Sequence, residues 1–307
     1  MKRFFERIYF RPRGLDYLWI ALLSPLSVVY GSYMLVRRLV ARKKRFSLPI
    51  VSVGNLIVGG SGKTPFVIAL ASRYENVAVI SRGYGRLSRG LVEVSRKGEI
   101  VTDVRQSGDE AMLMAQSLSR ASVIVSEKRE AAIAFAKANG AEVIILDDGF
   151  NRVNIEKYDI LLKPALMPNV LPFPAGPLRE FSFSERFADC IVQEERDFRR
   201  VVQSDPFDGN VFLATAIANP LRLEPYLPEN VVGRFYLEDH AYFDEQQLAQ
   251  KMEEVGAEAL LVTEKDAVKM ADFKLPIVQM RLKLEIDPPV LQQVDTYIKT
   301  YKDSANV

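Results

Sequence analysis

Short apolar runs and amphipathic segments alternate along most of the chain. Runs of β-branched residues bounded by turn residues predict buried strands, whereas apolar residues spaced three and four apart predict helices. The expected strands lie at 47–55, 77–81, 123–126, 142–148, 159–162, 190–193, 211–215, 231–237, 259–263 and 277–284. The expected helices follow Gly62 and cover 107–118, 127–140, 244–255 and 288–301. The segment 91–102 predicts a hairpin around Lys97-Gly98.

This order of elements predicts a mixed α/β fold. Strands that alternate with helices form βαβ units, so we expect a mostly parallel sheet with helices on both faces. A Pro-rich, irregular segment at 163–185 is typical of a functional loop or a boundary, and turn residues near 200–210 suggest a domain boundary there. We therefore predict an N-terminal segment at 1–46, a core domain at 47–204 and a smaller α/β domain at 205–307. The last helix of the smaller domain could pack back on the core.

The N-terminal segment departs from this pattern. Residues 17–36 carry no charge, and a helix of that length spans roughly 30 Å, the thickness of a bilayer core. The basic residues that follow would suit anionic head groups: Arg37, Arg38, Arg42, Lys43, Lys44 and Arg45. We expect a membrane-associated helix that either spans the bilayer or lies at its interface. Pro25 and Gly31 weaken the signal, and a helix buried in a soluble core is the alternative.

Composition excludes several classes of protein. Apolar residues make up 48% of the 307 positions, which is enough for a core, so the chain is not disordered. Cys190 and His240 are the single Cys and the single His, which rules out an internal disulfide and argues against a Cys/His zinc site. The 41 basic and 39 acidic residues leave a net charge of +2, which gives no general case for nucleic-acid binding.

The clearest candidate for chemistry is a glycine-rich loop between a strand and a helix. It reads Gly59-Gly60-Ser61-Gly62-Lys63-Thr64. Backbone N–H groups of such a loop, together with the start of the helix, bind phosphate oxygens. Lys63 would reach the β- and γ-phosphates and the Thr64 hydroxyl would bind Mg²⁺, although Ile57 replaces the usual first glycine. A flexible turn at the start of a helix is the structural alternative.

Two carboxylates follow the apolar strand at 143–146. Asp147-Asp148 stand at the carboxyl end of this strand, where open α/β sheets bind their ligands. Beside a phosphate-binding loop, such an aspartate holds Mg²⁺ directly or through water. Without that loop, the pair would be equally well explained as a turn before Gly149.

Asp109 and His240 are compatible with catalysis but also have structural explanations. Asp109 opens a helix, where an acidic residue complements the helix dipole or could deprotonate an attacking hydroxyl. His240 follows a predicted strand and has carboxylates beside it, yet a lone His is more often structural.

Several other charged residues lie near predicted strand ends. Arg82, Arg86 and Arg179 would either clamp phosphate or remain solvated. The run Thr263–Asp266 does not match the guanine-reading motif of GTPases, because Glu264 stands directly before Lys265.

The order of these motifs resembles the tetraacyldisaccharide 4′-kinase family, the lipid A 4′-kinases of Gram-negative bacteria. The resemblance covers most of the chain, and the family tolerates a non-glycine residue at the Ile57 position. It rests on the apolar N-terminus and on Ser52–Leu56, Val58–Pro65, Ser81–Tyr84, Gly108–Glu110, Asp147–Phe150, Pro174–Glu180, Asn219-Pro220, Asp239-His240 and Thr263–Lys269.

The resemblance implies an ATP-dependent kinase with a P-loop NTPase-like core. It would phosphorylate the 4′-hydroxyl of a membrane-embedded acylated disaccharide 1-phosphate, giving lipid IVA at the cytoplasmic face of the bacterial inner membrane. It implies neither a nucleic-acid partner nor an obligate protein partner.

The resemblance also assigns roles to residues. Asp109 would be the catalytic base with His240 as its partner, and Lys63 would act on the transferred phosphate. ATP would contact Val58, Gly59, Gly60, Ser61, Gly62, Lys63, Thr64 and Pro65. Mg²⁺ would be held by Thr64, Asp147, Asp148 and Glu180. Substrate or phosphate would contact Asn55, Arg82, Tyr84 and Arg179.

One position departs from the family. Asn151-Arg152 stand where the family commonly has Gln-His, so a role of that pair in substrate contact or proton handling does not carry over. Two other functions stay open: a P-loop ATPase or GTPase switch of the partitioning or metal-insertion type, and a membrane-bound adaptor with a vestigial loop. The apolar N-terminus and His240 favour the kinase.

Overall fold

A computed structural model of the chain describes residues 2–58, 62–164, 166–217, 220–239 and 241–305. The chain is mixed α/β and most neighbouring strands run parallel, which confirms the predicted fold class. The chain forms two compact units that interleave along the sequence. Unit 1 comprises 1–67, 142–199 and 286–307, and unit 2 comprises 68–141 and 200–285. The three-segment division expected from the sequence stays a prediction.

Most elements lie where the sequence predicts them. The helices are α1 (Lys2–Phe10), α2 (Asp16–Val40), α3 (Lys63–Ala71), α4 (Val104–Ser107), α5 (Asp109–Ser117), α6 (Arg129–Ala138), α7 (Glu245–Val255), α8 (Glu264–Ala267) and α9 (Pro288–Ala305). The strands are β1 (Ile50–Gly54), β2 (Val77–Ser81), β3 (Val92–Arg96), β4 (Glu99–Ile100), β5 (Ser122–Val125), β6 (Val143–Asp147), β7 (Tyr158–Lys163), β8 (Cys190–Gln193), β9 (Phe198–Ser204), β10 (Val211–Thr215), β11 (Val231–Tyr236), β12 (Ala259–Thr263) and β13 (Ile277–Ile286). Short 3₁₀ helices lie at Ser182–Phe187 and Pro220–Tyr226.

Unit 1 is built around parallel strands in the order β6-β1-β7-β8. β1 and β6 are buried along their whole length, as expected for strands whose apolar side chains fill both faces of a parallel sheet. Their register pairs Val53 with Asp147, so the segments that follow β1 and β6 leave the sheet at the same edge. α9 belongs to this unit, and the Tyr301 hydroxyl donates to the Phe46 carbonyl at 2.6 Å.

Unit 2 contains two groups of strands. The first has the order β4-β3-β5-β2, in which β2 and β5 are parallel and β3 and β4 form the predicted hairpin. Lys97 and Gly98 have φ values of 48° and 90°, as a type I′ turn requires at both central positions. The second has the order β11-β10-β12-β13-β9, and its apolar side chains pack against Leu248 and Met252 of α7.

One face of α2 packs against unit 1. Ser27 and Gly31 are buried on this face, and the Ser27 hydroxyl accepts a hydrogen bond from the Ala175 amide at 2.8 Å. A Cβ on Gly31 would lie 2.7 Å from the Phe181 ring, so this ring packs directly against the backbone of α2. α2 is therefore fixed to the rest of unit 1 along its second half.

The opposite face of α2 is apolar and exposed. Its residues recur three and four apart, namely Leu18, Leu22, Leu26, Val29, Tyr33, Val36 and Val40, and we call them the α2 stripe. By length and composition α2 could cross a membrane, and 17% of its most apolar window is buried in the protein. The alternative of a helix buried in a soluble core is therefore wrong.

Three elements differ from the prediction. α1 was not expected, because its charged residues interrupt the apolar pattern. Its apolar residues Ile8 and Tyr9 are nevertheless buried. The helix expected at 107–118 begins at Asp109 instead, since Ser107 ends α4 and its hydroxyl donates to the Asp103 carbonyl at 2.9 Å. Gly108, with a φ of 85°, then separates α4 from α5. β9 was also missed, because its arginines interrupt the apolar pattern.

Candidate active site

The phosphate-loop segment lies between β1 and α3, as the sequence predicts. Gly54 ends β1 beside Phe150, and a Cβ on Gly54 would lie 2.5 Å from the Phe150 Cβ, so this position requires glycine. The Val58 amide donates to the Pro177 carbonyl at 2.9 Å, which fixes the start of the loop. Three of the predicted ATP contacts, Gly59, Gly60 and Ser61, lie outside the described residues.

Lys63 is held between two polar side chains of unit 1. Its Nζ donates to the Asn55 Oδ1 at 3.3 Å and lies 3.6 Å from the Asp148 Oδ1. Asn55 directly follows β1, Lys63 begins α3, and Asp148 directly follows β6. The structure thus brings together three residues that the sequence assigns to nucleotide, metal or substrate. The flanking residues of the loop, Gly62, Thr64 and Pro65, are at the same helix start.

Asp148 has a left-handed backbone with a φ of 53°, a conformation that aspartate tolerates better than most residues. Its two carboxylate oxygens accept hydrogen bonds from the Arg179 Nη1 at 2.8 and 2.7 Å. The Arg179 amide in turn donates to the Leu56 carbonyl at 2.7 Å, which ties Arg179 to the loop segment. Asp147 is buried at the end of β6. A permanent cation therefore stands beside the carboxylate that is proposed to approach Mg²⁺.

Glu180 is buried and binds Arg38 of α2. The Arg38 Nη2 lies 2.7 Å from one carboxylate oxygen of Glu180, and its Nε lies 2.8 Å from the other. The guanidinium also lies 4.3 Å from the centre of the Phe150 ring and donates to the Phe150 carbonyl at 3.1 Å. The expectation that Arg38 faces lipid head groups is wrong, because its side chain lies within this cluster. Arg37 similarly donates to the Asn151 carbonyl at 2.8 Å.

Oxygen donors suited to Mg²⁺ lie at the start of α3 and at the carboxyl end of β6. Thr64 is the second residue of α3, and Asp147 and Asp148 end and follow β6. A hydroxyl and one or two carboxylates are the protein ligands that Mg²⁺ takes together with nucleotide phosphates, so this donor set fits the ion. Among the described residues, no group of three or more His, Cys, Asp or Glu side chains could hold a metal alone. The assignment of Glu180 as a further Mg²⁺ ligand stays a prediction.

Asp109 is buried at the first position of α5 in unit 2. The Lys269 Nζ lies 3.1 Å from its Oδ2, and the same Nζ donates to the Ala241 carbonyl at 3.1 Å. Ala241 directly follows His240, which lies outside the described residues. The Lys269 Nζ also lies 5.9 Å from the centre of the Tyr242 ring, and burial together with the negative charge of Asp109 raises the pKa of Tyr242.

The arginines after β2 differ in their surroundings. Arg82 and Tyr84 are exposed on either side of Gly83, whose φ is 70°. Arg86 instead turns inward, and its Nη2 lies 2.6 Å from a carboxylate oxygen of Glu127. Arg86 is thus held in an ion pair, whereas Arg82 is exposed.

Sequence reasoning missed Arg38 and Lys269. A signal for Arg38 was present, since residues 27, 31, 34 and 38 recur four and three apart and therefore share the buried face of α2. Lys269 lies in the run Thr263–Lys269 that carries part of the family resemblance, but only Thr263–Asp266 was compared with a known motif, and Lys269 was assigned no role.

Comparison with known proteins identifies the family. A family model described as tetraacyldisaccharide-1-P 4′-kinase matches residues 19–299. The chain belongs to the tetraacyldisaccharide-1-P 4′-kinase family. It is 46% identical over 302 residues to the tetraacyldisaccharide 4′-kinase of Helicobacter acinonychis, covering 98% of this chain and 96% of that protein. It is 42% identical over 307 residues to the one of Aliarcobacter butzleri, covering 97% of each.

A solved structure agrees with this 4′-kinase assignment. The "apo" form of LpxK from Aquifex aeolicus in complex with ATP matches with a TM-score of 0.78 and 27% identity, covering 91% of this chain and 99% of that chain. The predicted enzyme class is confirmed: a kinase of lipid A biosynthesis that uses ATP and an alcohol acceptor. Membership of the 4′-kinase family favours this function over a switch-type NTPase or an adaptor.

Proposed function

We propose that this chain transfers the γ-phosphate of ATP to the 4′-hydroxyl of a tetraacyldisaccharide 1-phosphate and so forms lipid IVA. The family match carries the proposal, because it extends over residues 19–299 and includes both the phosphate loop and the Asp109 segment. In this step the acceptor O–H bond breaks, the oxygen bonds to the γ-phosphorus, and ADP leaves with the electrons of the broken P–O bond. Such a transfer depends on positioning and charge stabilisation.

Unit 1 would bind the nucleotide. Val58 to Pro65 would hold the ATP phosphates, and Lys63 would exchange its contact with Asp148 for the γ-phosphate. Thr64, Asp147 and Asp148, with Glu180 as a further candidate, would hold Mg²⁺. When bound with ATP, Mg²⁺ neutralises charge on the β- and γ-phosphates. Arg179 would add a second cation to the developing charge, and Asn55 would orient Lys63.

Unit 2 would act on the acceptor. Asp109 would take the proton of the 4′-hydroxyl as oxygen attacks phosphorus, and His240 would assist it as its partner. Burial of Asp109 fits this role, because reduced access to water strengthens the effect of neighbouring groups on the basicity of the carboxylate. Arg82 and Tyr84, which are exposed, would contact the phosphorylated and acylated acceptor.

The acceptor carries acyl chains, and α2 offers a place for the enzyme to meet them. The α2 stripe would lie among acyl chains at the cytoplasmic face of the inner membrane. An interfacial position suits α2 better than an isolated span, because Ser27 and Gly31 fix the opposite face to unit 1. The proposal requires no nucleic acid and no second protein.

A single assay separates the three candidate functions. The full chain is incubated with ATP labelled at the γ-phosphate and with the tetraacyldisaccharide 1-phosphate in mixed micelles. We expect label in the lipid fraction, which confirms the kinase. Release of free phosphate without labelled lipid would indicate the switch-type NTPase, and no turnover of ATP would indicate the adaptor.

A further inference from the structure

Lys269 is a fully buried cation that the functional assignments above leave without a role. Its side chain is 0% exposed, and its Nζ lies 3.1 Å from the Asp109 Oδ2. Burying an ammonium group costs free energy unless an opposite charge is paired with it, and the Asp109 carboxylate supplies that charge. The chain places Lys269 two residues after α8, whereas Asp109 begins α5.

A second carboxylate near Lys269 already has its own partners. Asp266 lies 3.8 Å from the Lys269 Nζ. Its oxygens accept hydrogen bonds from the Thr215 and Thr263 hydroxyls, both at 2.7 Å, and from the Ala216 amide at 3.1 Å. These donors stabilise the Asp266 charge without Lys269. The ammonium group of Lys269 is therefore available chiefly to Asp109.

Lys269 also reaches the segment that contains the predicted partner of Asp109. Its Nζ donates to the Ala241 carbonyl at 3.1 Å and lies 5.9 Å from the Tyr242 ring. Ala241 and Tyr242 directly follow His240 in the sequence. One ammonium group thus connects the start of α5 with the backbone next to His240.

We propose that Lys269 is a positioning residue that keeps the Asp109 carboxylate ionised and aimed, and that fixes the backbone beside His240. This inference rests on the proposed role of Asp109 as the base. A cation about 3 Å from a carboxylate favours its charged form, which is the form that accepts the hydroxyl proton. Two of the three ammonium hydrogens are used, one toward Asp109 and one toward Ala241, so the pair has little freedom to rotate.

Other charged groups near α5 belong to this environment. The segment after β11 contributes Asp239 and Tyr242, and α4 with its cap contributes Asp103 and Arg105, which act on Tyr242 together with Asp109. The hairpin that contacts α5 carries Glu93, Arg96 and Glu99, of which Glu93 and Arg96 bind each other. Among these charged groups, Lys269 lies within ion-pair distance of the Asp109 carboxylate.

The test is the pH dependence of kcat/KM for the lipid acceptor in the full chain. In Lys269→Met the acidic limb should move to higher pH by about 1–3 pH units, because Asp109 loses the cation that favours its charged form. Lys269→Arg should keep the limb near its original pH. The KM for ATP should stay within about twofold in both variants, since the nucleotide residues lie in unit 1. Should Lys269→Met fail to fold, Lys269→Gln is also neutral and should show the same shift.

Lys265→Met is the matched control. Lys265 lies on α8, four residues before Lys269, and binds Asp239 at 3.1 Å rather than Asp109. The acidic limb of the kcat/KM profile of Lys265→Met should not move. An unchanged limb in folded Lys269→Met, or an equal loss of kcat/KM at every pH, would overturn the proposal. Failure of the underlying assignment shows separately, as near-normal turnover in Asp109→Asn.

Discussion

The Arg38 guanidinium of α2 and the Glu180 carboxylate form two hydrogen bonds, at 2.7 and 2.8 Å, inside unit 1. Both side chains are nearly excluded from solvent, with exposures of 8% and 2%. The pair joins the helix that carries the α2 stripe to the segment that contains Arg179. Removing one partner would leave the other charge buried and unpaired. This would reduce the free energy of unfolding far more than the loss of a surface ion pair does.

We therefore expect Arg38→Met to destabilise the protein by ~3–5 kcal/mol, because the Glu180 charge would lose its partner. The change is measured as a shift of the urea unfolding midpoint of the full chain. Arg45→Met is the control, since Arg45 pairs with Glu156 at 3.6 Å in a largely exposed position. That substitution should cost less than ~1 kcal/mol. Equal losses in the two variants would contradict this prediction.

The double variant Arg38→Met/Glu180→Leu separates the structural role of Glu180 from its proposed role at Mg²⁺. Replacing both members of a buried ion pair with apolar residues is often nearly neutral, so stability should largely return. If Glu180 is a ligand, this stable variant should still need a several-fold higher Mg²⁺ concentration for half-maximal activity. Wild-type dependence on Mg²⁺ would remove Glu180 from the proposed metal site.

Asp109 should matter for the chemical step and not for nucleotide binding. We expect Asp109→Ala and Asp109→Asn to reduce kcat by roughly 10²–10⁴, the usual contribution of a positioned base. The affinity for ATP, measured with a fluorescent analogue, should stay near that of the unmodified chain. Lys63→Met should instead weaken the binding of ATP. Near-normal turnover in the Asp109 variants would falsify the assignment of the base.

Local pattern predicted the nucleotide side of the site well. β1, the glycine-rich loop, α3 and the Asp147-Asp148 pair follow from strand periodicity and from the rule that parallel strands present their carboxyl ends at one edge. The left-handed φ of Asp148 could not be predicted, because Asp adopts this conformation only where its surroundings hold it.

Long-range ion pairs were beyond the reach of local pattern. Arg38 and Glu180 are 142 residues apart, and a basic cluster after an apolar stretch equally suits lipid head groups. Lys269 is distant in sequence from Asp109, and nothing in either run specifies the other. Such pairs are fixed by the packing of elements that meet only in the folded chain, so only the folded structure shows which charged side chains become buried.

The loop that carries Arg82 and Tyr84 should depend on Glu127. The Glu127 carboxylate accepts from the Arg86 Nη2 at 2.6 Å and from the Gly90 amide at 3.1 Å, so it closes the loop. We expect Glu127→Gln to raise the KM for the lipid acceptor about tenfold, the equivalent of ~1.4 kcal/mol, and to leave the KM for ATP unchanged. A rise in both values would indicate a general loss of structure instead.

The pH dependence of this loop follows from the same contacts. The backbone amide of Glu127 and the Arg86 side chain lower the pKa of the Glu127 carboxyl. A lowered pKa means that the stabilising charge is present above the ordinary glutamate value and is lost as pH falls through the folded value. Glu127 should therefore stay charged between pH 6 and 9, and its titration should not change the acceptor KM of the unmodified chain over that range. Only strongly acidic conditions should release the loop.

The α2 stripe should control membrane binding without controlling the fold. Its residues are exposed, with Leu22 at 66%, Val29 at 69% and Val36 at 56%, so replacing them removes little internal packing. We expect Leu22→Ser/Val29→Ser/Val36→Ser to abolish co-sedimentation with vesicles of phosphatidylglycerol and phosphatidylethanolamine, because each buried apolar side chain contributes ~1.5–3 kcal/mol. Activity on acceptor dispersed in detergent should remain within about threefold.

Substitution is a cleaner test of the α2 stripe than deletion of residues 1–36, which would also remove the contacts of Ser27 and Gly31 with unit 1. Leu87→Ser/Leu221→Ser/Val255→Ser is the matched control, since it replaces three exposed apolar residues outside α2. This control should still sediment with vesicles. If the α2 triple variant also sediments, the stripe does not bind the membrane. If it instead loses activity on detergent-dispersed acceptor, the exposed face of α2 supports the fold or the acceptor site directly.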